Sequence, residues 1–169
     1  MLKYRIGMGY DVHKLVENRD LWLGGIKIEH PLGLLGHSDA DVLIHAICDA
    51  LLGAVNMRDI GYHFPDNSDE FKDMDSKVIL ARTMEIVRKK GYDVGNIDVT
   101  VCAETPKLNP YIPMMQRVLA AVMNIREEDI SIKATTTERL GFVGREEGIA
   151  AYAVALVTFS EKLYEPFLN

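Results

Sequence analysis

Cysteine is scarce in this chain, long apolar runs are missing, and there is no excess of basic residues. Cys48 and Cys102 are the only cysteines. Each lies in an apolar stretch without a CxxC partner, so no disulfide framework is expected, and both read as small buried hydrophobes in a reducing compartment. No apolar stretch approaches the roughly 20 residues of a membrane helix, and MLKYRIGMGY lacks the apolar core of a signal peptide and reads as a strand. A cytoplasmic protein with no membrane partner is the expectation. The formal net charge of -6 argues against nucleic acid as a partner, which calls for a basic surface. A phosphorylated ligand would need local help from metal ions, backbone N–H groups or a helix N-terminus. With no internal repeat, low-complexity segment or linker, the 169 residues, 48% of them hydrophobic, are expected to form one domain spanning 1–169 around its own core.

Hydrophobic periodicity predicts the elements. Tyr4 to Val12 reads as a strand, and Asp20 to Ile28 as a hairpin around Gly24-Gly25, a pair that tolerates the positive φ of a tight turn. Ser38 to about Val55 is expected to be a helix capped by Ser38, with Asp41 completing a capping box. Asp59 to Asp75 reads as a long loop, and Ser76 to Lys90 as a second helix stopped by Gly91. Ile97 to Ala103 alternates as a strand. Asn109-Pro110 opens a third helix with Asn109 as its N-cap. Ile130 to Ala134 is a strand running into Thr135, Thr136 and Thr137. Gly148 to Phe159 is apolar throughout and reads as a buried strand, although periodicity leaves a helix open there. The sum is an α+β sandwich with helices on one face of a mixed sheet, whose other face calls for cover by oligomerisation.

Asp11 and His13 stand at i and i+2 of the first strand, on one side and roughly 6–7 Å apart at Cα, a spacing from which two ligands converge on one metal. A third ligand is expected from His37 or His45. His45 sits among apolar helix residues, where an ionisable group needs a partner, and Asp49 one turn later is a candidate for that partner. One Asp and two His leave a coordination position open, as in a catalytic zinc site, but the set equally suits a non-haem iron centre. Taken alone, a DxH pair is weak, a helical His is more often a hydrogen-bonded core residue, and the three threonines are more simply a β-branched strand end.

Five blocks then occur in one order: GYDVH (Gly9 to His13), GHSDADVLIHAICDALLGA (Gly36 to Ala54), DIGYHFPD (Asp59 to Asp66), PKL (Pro106 to Leu108) and KATTTERLGFVGREEGIA (Lys133 to Ala150). Together they resemble the 2-C-methyl-D-erythritol 2,4-cyclodiphosphate synthases from about Arg5 to Leu156. The resemblance implies a homotrimer built through the sheets, with active sites between neighbouring subunits. It implies that the 2-phosphate of 4-diphosphocytidyl-2-C-methyl-D-erythritol 2-phosphate attacks the β-phosphorus and releases CMP, a step of the non-mevalonate isoprenoid precursor pathway. It further implies zinc on Asp11, His13 and His45, and a second divalent cation, magnesium or manganese, at Glu138. His37 and Thr136 are implied as catalytic groups. Ser38 falls on a contact to phosphate and erythritol, Asp59, Ile60 and Gly61 on the erythritol segment, and Phe64, Pro65, Asp66, Asn67 and Ser68 on the adjoining loop. Ala103, Lys107 and Leu108 fall on the cytidine pocket, Thr135 and Thr137 on the diphosphate end, and Phe142 and Arg145 on the last contacts, beside a central cavity that can hold an isoprenoid diphosphate. Asn109 departs from the pattern, where an apolar residue is common beside the cytidine pocket.

Two rival readings share these features. A zinc or iron phosphohydrolase would use the same ligands with water as nucleophile. A non-catalytic trimeric ligand-binding module would hold a structural zinc, which usually closes its fourth position with a protein ligand, and no convincing fourth ligand is visible.

Overall fold

In the computed structural model, which describes residues 2–65 and 74–163, the N-terminal alternation becomes one long strand, β1 (Tyr4–Val16). It runs past Val12 because Lys14, Leu15 and Val16 pair with a short strand, β4 (Gly33–Leu35). Between them the expected hairpin forms β2 (Leu21–Leu23) and β3 (Ile26–Ile28). Gly24 and Gly25 join these at φ of 61° and 77°, left-handed values that other residues resist.

The first helix, α1 (Val42–Ala54), starts later than Ser38, and the capping assignment is corrected with it. Ala40 has a φ of 58°, which breaks helical continuity. Asp41 is itself the N-cap, accepting from Ile44 N at 3.1 Å. Its fully buried carboxylate also accepts from Gly24 N at 2.9 Å and Gly25 N at 2.7 Å, so one side chain joins the hairpin turn to the helix start. Ser38 Oγ instead accepts from Ala40 N at 3.1 Å.

The expected loop after Asp59 holds a short helix, α2 (Ile60–His63), capped by Asp59. Next come α3 (Ser76–Lys89), capped by Asp75, and β5 (Tyr92–Cys102). The chain then passes a cis Thr105–Pro106 bond and a 3-10 turn, Asn109–Tyr111, into α4 (Ile112–Met123). Asn109 is the first residue of the 3-10 turn, and the N-cap position of α4 falls to Tyr111, which corrects its expected role; the 3-10 turn supplies the helix entry. β6 (Ile130–Thr135), α5 (Gly141–Gly144) and β7 (Gly148–Phe159) complete the chain, the last as a strand.

The sheet order is β4-β1-β7-β5-β6, antiparallel except for the β5–β6 pair. Helix α1 lies on β1 and β7, α3 packs on α1, and α4 packs on α3 and β6. The first of these contacts is unusually close. A Cβ on Gly7 would stand 1.8 Å from Ala50 O, and one on Gly9 2.0 Å from Ala46 O, so only glycine lets the helix backbone lie against the strand. Side chains alternate along a strand, which places Asp11 and His13 on the same face as these glycines. The other face carries Tyr4, Ile6, Met8, Tyr10, Val12, Tyr152 and Val154, all exposed, with the Tyr10 and Tyr152 rings 4.9 Å apart across the β1–β7 ladder. Among the described residues no helix is long and apolar enough to cross a membrane.

Candidate active site

Just beyond the glycine-lined contact, β1 and α1 bring three donor atoms together. Asp11 Oδ2 lies 3.0 Å from His13 Nε2 and 3.0 Å from His45 Nδ1, and the two ring nitrogens are 3.1 Å apart. The choice left open between His37 and His45 falls to His45, and these three residues are the one group among those described with metal-binding geometry. A tetrahedral ion about 2.0–2.1 Å from each donor separates them by about 3.3–3.4 Å, so the triangle is within a few tenths of an ångström of the required size.

The hydrogen bonds around the triangle orient both rings. His13 Nδ1 donates to Leu35 O at 2.8 Å; a carbonyl only accepts, so in the neutral ring His13 Nε2 presents its lone pair to the triangle. His45 Nε2 faces Ser76 Oγ at 3.0 Å and Ser38 Oγ at 3.3 Å, and its Nδ1 faces the triangle. Burial works against the Asp11 carboxylate, but the hydrogen bonds with His13 and His45 outweigh it and hold the carboxyl well below the usual range. Burial also opposes charge on His13, and its contact with Asp11 outweighs that, so its pKa is raised. Three such atoms at this spacing call for shared positive charge, which protons on the rings supply in the metal-free protein and a divalent cation would supply in their place.

A cleft of about 280 Å³ opens over the triangle, lined also by Gly36, His37, Ser38, Ile60, Gly61 and Phe64. His37 Nε2 is buried and has no hydrogen-bond partner among the described residues, so it is available to a ligand. Asp59 does not line this cleft; it caps α2 through Tyr62 N at 2.9 Å, and Pro65 is likewise not among the lining residues. Asp66, Asn67 and Ser68 lie outside the described residues. Asp49 acts on His45 only through its charge, with no hydrogen bond or ion pair between them among the described residues. Its Oδ1 accepts from Ile60 N at 2.8 Å and fixes α2 beside the cleft, a pairing across 11 positions that no local pattern announces.

A second cleft of about 420 Å³ gathers Ala103, Lys107, Leu108, Asn109, Thr135 and Thr136. Thr137 turns away from it, donating through Oγ1 to Leu140 O at 2.7 Å. Glu138 is exposed, with Thr136 Oγ1 donating to its Oε1 at 3.2 Å. The loop holding them has Glu138 and Arg139 at φ of 53° and 62°. It is fastened by Glu104, whose Oε1 accepts from Thr137 N at 3.0 Å and Arg139 N at 3.2 Å. Glu104 was not anticipated, and a lone carboxylate after a strand gives no signal for it. A third cleft, of about 520 Å³, includes Val12, Lys14 and Phe142. Arg145 pairs with Glu147 through Nε and Nη2 at 2.9 and 3.1 Å. The expected substrate contacts therefore fall in separate clefts of one chain.

The family model described as the YgbB family matches residues 4–158. Curated relatives include a 2-C-methyl-D-erythritol 2,4-cyclodiphosphate synthase from Parabacteroides distasonis, 71% identical, with 92% of this chain and 97% of the relative covered. The enzyme of the same name from Bacteroides fragilis is 68% identical, with 92% and 98% covered. Among solved structures, the IspF of Plasmodium falciparum in complex with CDP matches with a TM-score of 0.82 and 37% identity, covering 94% of this chain and 98% of that one. The bifunctional IspDF from Campylobacter jejuni matches with a TM-score of 0.90 and 41% identity, over 94% of this chain and 43% of that one.

Proposed function

The chain belongs to the YgbB family, and from that premise we infer that it makes 2-C-methyl-D-erythritol 2,4-cyclodiphosphate, the product for which its curated relatives are named. The substrate is 4-diphosphocytidyl-2-C-methyl-D-erythritol 2-phosphate. An oxygen of its 2-phosphate bonds to the β-phosphorus, the bond from that phosphorus to the α-phosphate oxygen breaks, and CMP leaves with the electron pair. Joining two phosphates without adding water makes the enzyme a phosphorus–oxygen lyase. The observation that carries this reading is the Asp11–His13–His45 triangle at the floor of a cleft.

The nucleophile is already an anion, so no strong base is required; the obstacle is repulsion between two phosphates. When bound, zinc at Asp11, His13 and His45 and a second divalent cation, magnesium or manganese, at Glu138 supply the positive charge that offsets this repulsion and polarises the attacked phosphorus. The chain's own groups orient the substrate. His37, with its unpartnered Nε2, and Ser38 serve the phosphate on the erythritol side. Ile60, Gly61 and Phe64 line the place for the sugar chain, Asp59 acts by holding α2, and Pro65, Asp66, Asn67 and Ser68 are assigned to its border. Ala103, Lys107 and Leu108 take the cytidine, a reading supported by the CDP held by the related Plasmodium falciparum protein. Thr135 and Thr136 donate to the diphosphate, and Thr137 sets their loop. Phe142 shares the third cleft with Val12 of the bare sheet face, and it and Arg145 are assigned to the last contacts, next to a cavity for an isoprenoid diphosphate.

Assembly as a homotrimer of 1–169 domains through the sheets is supported by the apolar face of β1 and β7. A stripe of this kind marks an association surface. Separate clefts on one chain fit sites completed by a neighbouring copy. The two free thiols fit the expected cytoplasmic setting.

Phosphorus NMR of the protein with the cytidyl substrate, zinc and magnesium tests the reading. A cyclic diphosphate appearing with equimolar CMP is the expected result. Release of monophosphates alone would assign water as the nucleophile and favour a phosphohydrolase. Zinc binding without turnover would favour a ligand-binding module.

A further inference from the structure

We propose that Ser76, held by Asp39, is a positioning residue that selects the metal-binding tautomer of His45. The inference rests on the metal reading of the Asp11–His13–His45 triangle.

A neutral imidazole carries its proton on one nitrogen and offers a lone pair on the other. For His45 to bind a cation with the others it must present a lone pair at Nδ1 and carry the proton at Nε2. The local surroundings pull the other way. Asp11 Oδ2 lies 3.0 Å from Nδ1, and a carboxylate there favours an N–H on that nitrogen. Nε2 is met by two hydroxyls, Ser76 Oγ at 3.0 Å and Ser38 Oγ at 3.3 Å, and a hydroxyl can donate to a bare nitrogen as readily as it accepts from an N–H.

The two serines differ in what else holds them. The Ser76 hydroxyl donates to Asp39 Oδ1, while Asp39 Oδ2 accepts from Ser76 N at 3.0 Å. With its proton committed to a carboxylate, Ser76 Oγ has only lone pairs for His45. It therefore accepts from Nε2–H and stabilises the tautomer that frees Nδ1. Ser38 Oγ accepts from Ala40 N at 3.1 Å, and among the described residues no carboxylate or carbonyl takes its proton; it is the group able to donate to a bare Nε2 and favour the wrong tautomer. The carboxylate–hydroxyl–imidazole chain runs between the turn before α1 and the first residue of α3, with Ser76 fully buried and His45 nearly so. Partners in the shell behind metal-ligating histidines typically change affinity by about 10- to 100-fold when removed.

The test compares Ser76→Ala and Ser38→Ala. Zinc affinity is measured by chelator competition, and the tautomer of neutral His45 by nitrogen-15 NMR of histidine-labelled, metal-free protein. Ser76→Ala is expected to bind zinc about 10- to 100-fold more weakly and to shift His45 toward the Nδ1–H form. Ser38→Ala is expected to do neither. Parental zinc affinity in Ser76→Ala, or equal losses in both variants, would overturn the selector role. Should Ser76→Ala fail to fold, the parent decides: a predominant Nε2–H form supports the proposal and a predominant Nδ1–H form overturns it. Failure of the parent itself to bind zinc would instead sink the metal reading.

Discussion

Replacing Gly9 by alanine tests whether the close seat of α1 on β1 sets the triangle. The new Cβ would lie 2.0 Å from Ala46 O and 2.7 Å from Ala50 N. Both are backbone atoms of the helix, so no side-chain rotation relieves the clash. Normal contact begins at about 3.0 Å or more, so strand and helix must part by about 1 Å. His45 adjoins Ala46, and Asp11 stands two residues from Gly9, so the separation falls on the triangle itself. The two edges that reach His45, 3.0 Å from Asp11 and 3.1 Å from His13, would open by a similar amount, well beyond the tolerance of about 0.2 Å expected of metal–ligand distances. Overpacking of this kind costs about 3 kcal/mol, the upper part of its usual range. Urea unfolding of metal-free protein should read that loss, and chelator competition should show zinc affinity reduced by more than tenfold. Gly53→Ala is the control on the same helix: nothing stands within 4 Å of its Cβ. It should gain about 0.5–1 kcal/mol from reduced backbone freedom with zinc affinity unchanged. Gly9→Ala at parental stability and affinity would refute the view that strand glycines position the ligands.

Other outcomes follow from single groups. Burial pushes the Cys48 thiol from 9.0 up to about 12. The unfolded chain's thiol ionises first as pH rises, so the contribution of the neutral thiol is whole below pH 9 and is lost between there and pH 12. That gap is worth up to about 4 kcal/mol, and Cys48→Ala should flatten the alkaline fall in a pH series of urea midpoints. Glu104→Ala, which frees Thr137 and Arg139, should lower turnover by about tenfold or more through misplacement of Thr136 while zinc affinity holds. Asp41→Asn, which puts an NH2 donor in place of one of the two oxygens that accept three backbone N–H bonds, should cost about 3 kcal/mol, seen as a lower urea midpoint with an unchanged slope.

The sheet was legible because period-2 alternation is written in consecutive residues, as in Ile97, Val99 and Val101. The Gly24-Gly25 turn was legible because only glycine suits both left-handed positions. What escaped was pairing across long sequence distances. Ser38 looked like a helix cap because Ser-x-x-Asp is the local signature of one; in the fold Asp41 is taken by the hairpin amides, and Ser38 faces His45. Asp49 looked like a partner for His45 by helical spacing, but the free amide of Ile60 claims it. Of the candidate site, the DxH pair and His45 were legible from strand spacing, apolar context and family resemblance. Glu104 and the Asp39–Ser76 pair were not, since each joins segments that only the folded chain brings together.

Strand β1 also bears on how this chain can change. Its odd positions (Gly7, Gly9, Asp11, His13) answer to the helix and the cation, while its even positions (Tyr4, Ile6, Met8, Tyr10, Val12) answer to whatever covers the bare face. The even set is free to drift in step with a partner surface without touching the chemistry. An insertion or deletion of one residue ahead of Asp11 exchanges the two sets at a stroke, turning tyrosine toward the helix and the ligands outward. The strand should therefore accept many substitutions on one side over evolutionary time and almost no change in length.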